Sequence, residues 1–333
     1  MDLEVRHLRY FVAVAEELSF TKAAQRLHVA QPPLSRAVKS LEKQLGVSLL
    51  ARTTRRVELT AAGSLLLDDA REIIESFDSA LARAAQAGRA ENRSLRIGFR
   101  PAASLPMLEP IVREFTKHHP ETKTEATRIE WTDQVSCLLA GRVDVAFVLY
   151  PLEHHQVDVI PLLAAPRAVA MPNDHPLSER TSLSIDDLQS YPLAVPSGAP
   201  SDWQRFWTAA GRQVDPLVPE PPHVSNADES LAVVLSGGAL VLAISTVMTY
   251  YRDTSLAIVP VHDLSPGVIG LAYRKGSEHP GIEAFTNVAI EVAEDIALNI
   301  GEESGTRVAG PAAVATADLE KPLTSQLAGD ATA

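Results

Sequence analysis

The chain has 333 residues, 46% hydrophobic and 22% charged, which is ordinary globular usage with length for two domains or one domain plus an appendage. A mini-protein, a collagen-like chain and global disorder are excluded. Thirty Lys and Arg against 42 Asp and Glu leave a formal net charge of -12, an average that argues against a polyanionic partner.

The single cysteine, Cys137, excludes a disulfide framework or a cysteine-based zinc site, and it fits a reducing compartment. It falls beside Val135 and Leu138 on the inward face of an expected helix. The N-terminus carries Asp2, Glu4, Arg6 and Arg9, too much charge for a signal peptide, so a cytoplasmic location is expected. The uncharged run from Leu231 to Met248 is cut by Gly237 and Gly238 and reads as a buried helix, turn and strand, not as a membrane span. No membrane partner is expected.

In chain order, Leu8, Phe11, Val12 and Ala15 mark a first amphipathic helix over about residues 5–17. Ser19 is the natural cap of a second, Phe20 to Leu27, with Ala23, Ala24 and Leu27 turned inward. After a break at His28 to Gln31, Pro32 and Pro33 are tolerated in a first helical turn. Leu34, Val38, Leu41 and Leu45 then give a third helix, closed by Gly46. The run SLLARTTRRVELT, residues 48–60, has two apolar arms and a basic tip, the pattern of a hairpin.

Helix, tight break, helix and basic hairpin make a winged helix-turn-helix, whose second helix of the pair enters the major groove of DNA. Charge agrees locally. Between Phe20 and Arg56 stand eight basic residues and one acid, Glu42, a net +7 that leaves -19 for everything else. Gln31 and Arg36 are the expected base readers, because Arg can bind guanine and Gln adenine in bidentate fashion. Pro32 and Pro33 offer apolar surface to a thymine methyl, with Ser35 beside them. Thr21, Lys39 and Lys43 suit phosphate, Arg55 and Arg56 suit the backbone or minor groove, and Arg52 is partly structural.

The elements SFTKAAQRLHVAQPPLS, LEKQLGVSLLAR and LTAAG, at these spacings, resemble the DNA-binding domain of the LysR-type transcriptional regulators. Leu50 stands where that family usually has Phe. From Ser64 to Ala90, Leu66, Ala70, Ile73, Phe77, Ala80, Ala84 and Ala87 follow a 4-3 spacing beside a second stripe of Leu67, Ile74 and Leu81, a seam for helix pairing. The resemblance implies dimerisation there, with Leu66, Ile73, Phe77 and Leu81 as the main contacts.

From Ser94 the pattern alternates. SLRIGF, TKTEATRI and VDVAFVL read as strands, with helices over residues 105–118 and 132–140. Further strands are expected at PRAVAMP, PLAVP, ALVLAI and VIGLAYR, with a last helix over residues 282–299. Such alternation predicts parallel sheets with crossover helices. GRVDVAFV, NDHPLS, IDDLQSYPLAV and VVLSGGALVLAI resemble the LysR effector domain, which implies two Rossmann-like subdomains akin to periplasmic solute-binding proteins.

The expected organisation is a DNA-binding domain over residues 1–63, a linker helix over 64–93 and an effector domain over 94–300. Its first subdomain takes about 94–164 and 267–300, and its second about 165–266. A disordered tail, Ala-, Gly- and Thr-rich, is expected over 301–333.

Ligands of open α/β sheets sit outside the carboxyl ends of strands, near helix N-termini. That rule selects Arg100, Ser104, Trp131, Thr132, Tyr150, Ser197, Gly198, Asn226 and Ser245, and Arg100 favours a small anion such as a carboxylate. No catalytic motif, metal spacing or cofactor loop appears, so neither an enzyme nor a cofactor is expected. The resemblance implies a homodimer or homotetramer on double-stranded promoter DNA, an effector that alters DNA bending, and contact with RNA polymerase. A solute-binding protein without transcriptional activity is the competing reading, and the first 63 residues weigh against it.

Overall fold

The computed structural model describes residues 3–52, 57–87, 94–248, 255–304 and 308–316. Residues Met1–Arg89 group with Leu139–Gly141 as one compact unit, and Ala90–Leu138 with the chain from Arg142 onward as a second.

The N-terminal unit opens with α1 (Val5–Glu17), α2 (Phe20–Arg26) and α3 (Gln31–Leu45). Ser19 caps α2 by accepting the backbone N-H of Lys22, and the N-H of Gly46 donates to the Glu42 carbonyl at the end of α3. Phe11, Val14, Ala23, Leu34, Val38 and Leu41 close one core. Antiparallel β1 (Leu50–Arg52) and β2 (Val57–Leu59) form the wing, and α4 (Ala61–Ala87) follows.

Two local devices fix the wing. Glu42, the only acid in the basic stretch, accepts the backbone N-H groups of Leu49 and Leu50 at 3.0 and 3.1 Å, so its charge is spent on β1. Thr60 donates its hydroxyl to the carbonyls of Ser48 and Leu49 and accepts the N-H of Gly63. A Cβ on Gly63 would lie 2.0 Å from the Leu49 carbonyl oxygen, so only glycine lets α4 start there.

The C-terminal unit contains β3 (Ser94–Phe99), α5 (Pro101–His118), β4 (Lys123–Arg128), a 3-10 turn Trp131–Asp133, α6 (Ser136–Leu139), β5 (Val145–Leu149), β6 (Val157–Ala165) and β7 (Arg167–Pro172). After another 3-10 turn, Ile185–Leu188, come β8 (Val195–Pro196), α7 (Ser201–Trp207), β9 (His223–Val224), α8 (Ala227–Leu235), β10 (Val241–Ile244), α9 (Ser245–Met248), β11 (Leu256–Pro260), β12 (Gly267–Arg274), α10 (Pro280–Ser304) and α11 (Pro311–Thr316).

One sheet runs β4-β3-β5-β12-β6, a second β10-β7-β11, and β8-β9 pair separately. The expected all-parallel pattern is corrected. β3 pairs parallel with β4 and β5, but β12 is antiparallel to β5 and β6, and β7 is antiparallel to β10 and β11. The return of the chain from the second sheet reverses β12. Strands β6, β9 and β11 are additions to the strands expected from the sequence. Pro161 lies within β6, where only an edge strand tolerates proline, and the register shifts beside its partner Gly270.

Asp144 and Arg96 join β3 to the start of β5. The buried Asp144 carboxylate takes two bonds from the guanidinium, at 2.7 and 3.0 Å, and one from the Arg96 backbone at 2.8 Å. Where the chain crosses between the two larger sheets, Arg167 donates to the Ser265 carbonyl and hydroxyl and to the Phe206 carbonyl. Burial pushes its pKa down to about 10, leaving it charged at neutral pH.

Part of the segment expected to be disordered is ordered. Helix α10 continues to Ser304, Ala309 pairs with Ala164 beside edge strand β6, and Val314 is buried. Glu294 accepts the Ala312 N-H at 2.6 Å and so caps α11. Three small or β-branched contacts and one carboxylate hold the segment, too short a pattern to show as a periodic face. Residues 317–333 lie outside the described residues.

Candidate functional site

On α3, Leu34, Val38 and Leu41 face the core, so 3.6-residue periodicity sends Gln31, Pro32, Arg36, Lys39 and Lys43 outward, all exposed, with Pro33 and Ser35 half-buried. Thr21 is exposed near the start of α2. The exposed basic groups leave α3 with a positive outer face. Arg26, part of the local basic count, is instead bound to Glu16 at 2.7 Å and Glu17 at 3.4 Å. Glu16 also takes Arg71 of α4 at 2.9 Å, so this cluster ties three helices together. The side chain of Arg52, and Arg55 and Arg56 entirely, lie outside the described residues.

The seam of α4 divides. Ala70 is buried in its own unit, and Leu66 and Leu67, partly buried, pack against the same core. Ile73, Phe77 and Leu81 are exposed.

In the C-terminal unit a cavity of about 120 Å³ is lined by side chains from both larger sheets and the helices around them. Its walls hold Trp131, Trp203 and Trp207, the only three tryptophans in the chain, together with Leu149, Val234 and Ile244. Each indole N-H crosses from one subdomain to the other: Trp131 to the Ser197 carbonyl at 3.0 Å, Trp203 to that of Leu149 at 3.1 Å, and Trp207 to that of Tyr150 at 3.0 Å. The rings are thereby fixed, with the Trp203 ring centre 5.9 Å from that of Trp131 and 5.7 Å from that of Trp207.

Arg100, at the N-cap of α5, places its guanidinium carbon 5.7 Å from the ring centres of both Trp131 and Trp203, within cation-π range. The other charged lining groups satisfy one another. Arg128 bonds Glu130 at 2.9 Å and reaches across to Asp228 on α8 at 3.1 Å, and Asp228 is the leading reason the Arg128 pKa is raised.

The cavity brings together Arg100 and Trp131 of the nine candidates. The others do not line it. The Ser104 hydroxyl is buried and exchanges hydrogen bonds with the Arg100 backbone. Asn226 caps α8 through the Glu229 N-H at 2.8 Å. Ser197 contributes its carbonyl to Trp131, and Gly198, at φ +69°, lies where a Cβ would meet the exposed Thr132 at 3.0 Å. Ser245 donates its N-H to Pro166. Tyr150 lines a separate shallow depression with His154 and His155, and burial raises its pKa to about 12.

Trp203, Trp207, Arg128, Asp228 and the apolar wall are absent from the sequence-derived set. The count of three tryptophans was the available signal. Cys137 is buried, and desolvation pushes its thiol to about 12. Among the described residues no cluster of His, Cys, Asp or Glu could hold a metal, and no helix is long and apolar enough to cross a membrane.

A winged helix-turn-helix with an outward basic helix, joined to an α/β unit with a cavity between its subdomains, is the architecture of a ligand-responsive DNA-binding regulator. Residues 5–64 match the bacterial regulatory helix-turn-helix protein model of the lysR family, and residues 88–294 match the LysR substrate binding domain. The chain is 34% identical over 291 residues to the HTH-type transcriptional regulator AlsR of Bacillus subtilis, 86% of this chain and 95% of that protein. It is 31% identical to the Hca operon transcriptional activator HcaR of Escherichia coli, 87% of this chain and 98% of that one.

Among solved structures it resembles full-length BenM (TM-score 0.51, 26% identity, 90% of this chain and 98% of that one) and a cysteine-to-serine mutant of Corynebacterium glutamicum OxyR (0.52, 26%, 91% and 96%). The chain belongs to the LysR family of transcriptional regulators. It has a DNA-binding helix-turn-helix and an effector-binding domain, and the helix-turn-helix match sets aside the reading as a solute-binding protein without transcriptional activity. Its relatives are regulators, not enzymes.

Proposed function

We propose that the chain binds promoter DNA in the cytoplasm as a homodimer or homotetramer, and that a small anionic effector in the tryptophan-walled cavity alters the bend it imposes and hence recruitment of RNA polymerase. The observation that carries the effector half is Arg100 stacked over two of the three indoles that bridge the subdomains. A ligand with different affinity for two arrangements of those subdomains shifts their populations, and a changed bend has an energy that DNA sequence modulates. The exposed Ile73, Phe77 and Leu81 of α4 supply the pairing face. The surplus of -19 outside the basic stretch keeps the rest of the chain off DNA, so that several small basic faces act together.

In the DNA half, Gln31 and Arg36 read bases and Thr21, Lys39, Lys43, Arg55 and Arg56 hold phosphate, with Pro32, Pro33, Ser35 and Arg52 shaping the helix start and the wing. Arg36→Ala relaxes sequence preference by about 1 to 3 kcal/mol at one base position, whereas Arg56→Ala weakens all sequences alike and lowers the salt slope by about one charge. Footprints over a salt series check both, and unchanged footprints with unchanged slopes contradict the assignment.

A further inference from the structure

The geometry points to a one-ring aromatic monocarboxylate as the ligand of the cavity, its carboxylate at Arg100 and its ring against the indoles. This rests on the effector reading above and names the ligand chemistry that reading leaves open.

Size sets the first limit. The cavity, about 120 Å³, is somewhat smaller than the roughly 150 Å³ apolar cavity that holds benzene, so a single ring is the upper limit, and a drug-sized ligand needing about 300 Å³ or more is excluded. The walls set the second. The indole N-H groups of Trp131, Trp203 and Trp207 are all committed to backbone carbonyls, so these side chains offer faces and edges instead of hydrogen bonds, the contacts an aromatic ring makes best.

A sugar or polyol would press hydroxyl groups against Leu149, Val234 and Ile244 without partners, and a dicarboxylate would bring a second charge to the same wall. Both are costly. The positive end sets the third limit. Arg100 caps α5, an 18-residue helix, so its guanidinium and the helix N-terminus favour one anionic group at that end.

All three tryptophans line the cavity, so intrinsic fluorescence of the full chain reads the site directly. The chain is titrated with benzoate, cyclohexanecarboxylate, acetate, succinate and the neutral benzamide. The expected result is benzoate binding about tenfold or more tighter than acetate or succinate and about threefold tighter than cyclohexanecarboxylate. Arg100→Gln is expected to weaken benzoate about tenfold and benzamide by less than about threefold. Trp203→Leu, the second variant, should weaken benzoate more than cyclohexanecarboxylate.

Equal or tighter binding of acetate or succinate overturns the assignment, as does an Arg100→Gln loss as large for benzamide as for benzoate, or no response to any acid. If acetate or succinate binds and also shifts the DNA footprint, the aromatic assignment falls and the effector reading stands. If promoter output in cells ignores Trp203→Leu as well, the effector reading falls too.

Discussion

On α3 the groups assigned to DNA stand outside a core closed by Leu34, Val38 and Leu41, whereas in the C-terminal unit the groups assigned to the ligand are themselves core side chains, Trp131, Trp203 and Trp207. The first arrangement separates function from stability. Removing Arg36 or Lys39 takes away an exposed side chain and leaves the packing beneath it untouched. The second arrangement joins them, because each tryptophan is at once a cavity wall, a buried apolar group and a bridge between subdomains. Evolutionary change in ligand preference therefore costs stability in one unit, while change in DNA preference does not in the other.

The largest expected effect probes how closed the C-terminal core is. Burial raises the Cys137 thiol from its ordinary value near 9 to about 12, and thiolate is the reactive form. At pH 8 the native chain should react with a thiol reagent about a thousandfold more slowly than the urea-unfolded chain, from ionisation alone. Rates within tenfold of each other would mean the core opens freely. The sign of the linkage follows from the same shift: the folded thiol holds its proton where the unfolded one loses it. The stability this gives is complete below about pH 9 and is lost as pH rises toward 12.

Next in size, Trp207→Ala should destabilise the C-terminal unit by about 3 to 5 kcal/mol, since it empties part of the cavity wall and leaves the Tyr150 carbonyl without its indole donor. Urea unfolding checks this, and a loss under about 1 kcal/mol would show that the wall is not part of the core. The smallest effect is on the other side of the comparison. Arg36→Ala should change unfolding free energy by less than about 0.5 kcal/mol although it alters DNA preference. A loss of about 2 kcal/mol would break the separation between reading face and fold.

The same contrast explains what the sequence could disclose. The outward face of α3 follows from the apolar positions at 34, 38 and 41 alone, because one helix supplies both core and reading groups. The ligand cavity draws Arg100, Trp131, Trp203 and Asp228 from segments about a hundred residues apart, and local pattern does not carry that convergence. The rule that looks for ligand groups at strand ends selected polar side chains, and two of these, Ser104 and Asn226, are consumed in capping the helices that begin there.

The apolar walls look like any other core in the sequence. Strand direction was likewise hidden, since nothing in VIGLAYR distinguishes an antiparallel β12 from a parallel one, and Pro161 disguised β6. The α4 seam was half legible: its spacing is real, but Ala70 is turned to the helix's own unit.

The central claim, that occupancy of the tryptophan-walled cavity alters how α3 and the wing hold DNA, is tested most directly in one titration. Full-length chain bound to the DNA upstream of its own gene is titrated with benzoate while tryptophan fluorescence and gel-shift bend angle are followed together. Both signals are expected to move with one midpoint. Saturating tryptophan quenching with an unchanged bend angle and footprint would contradict it.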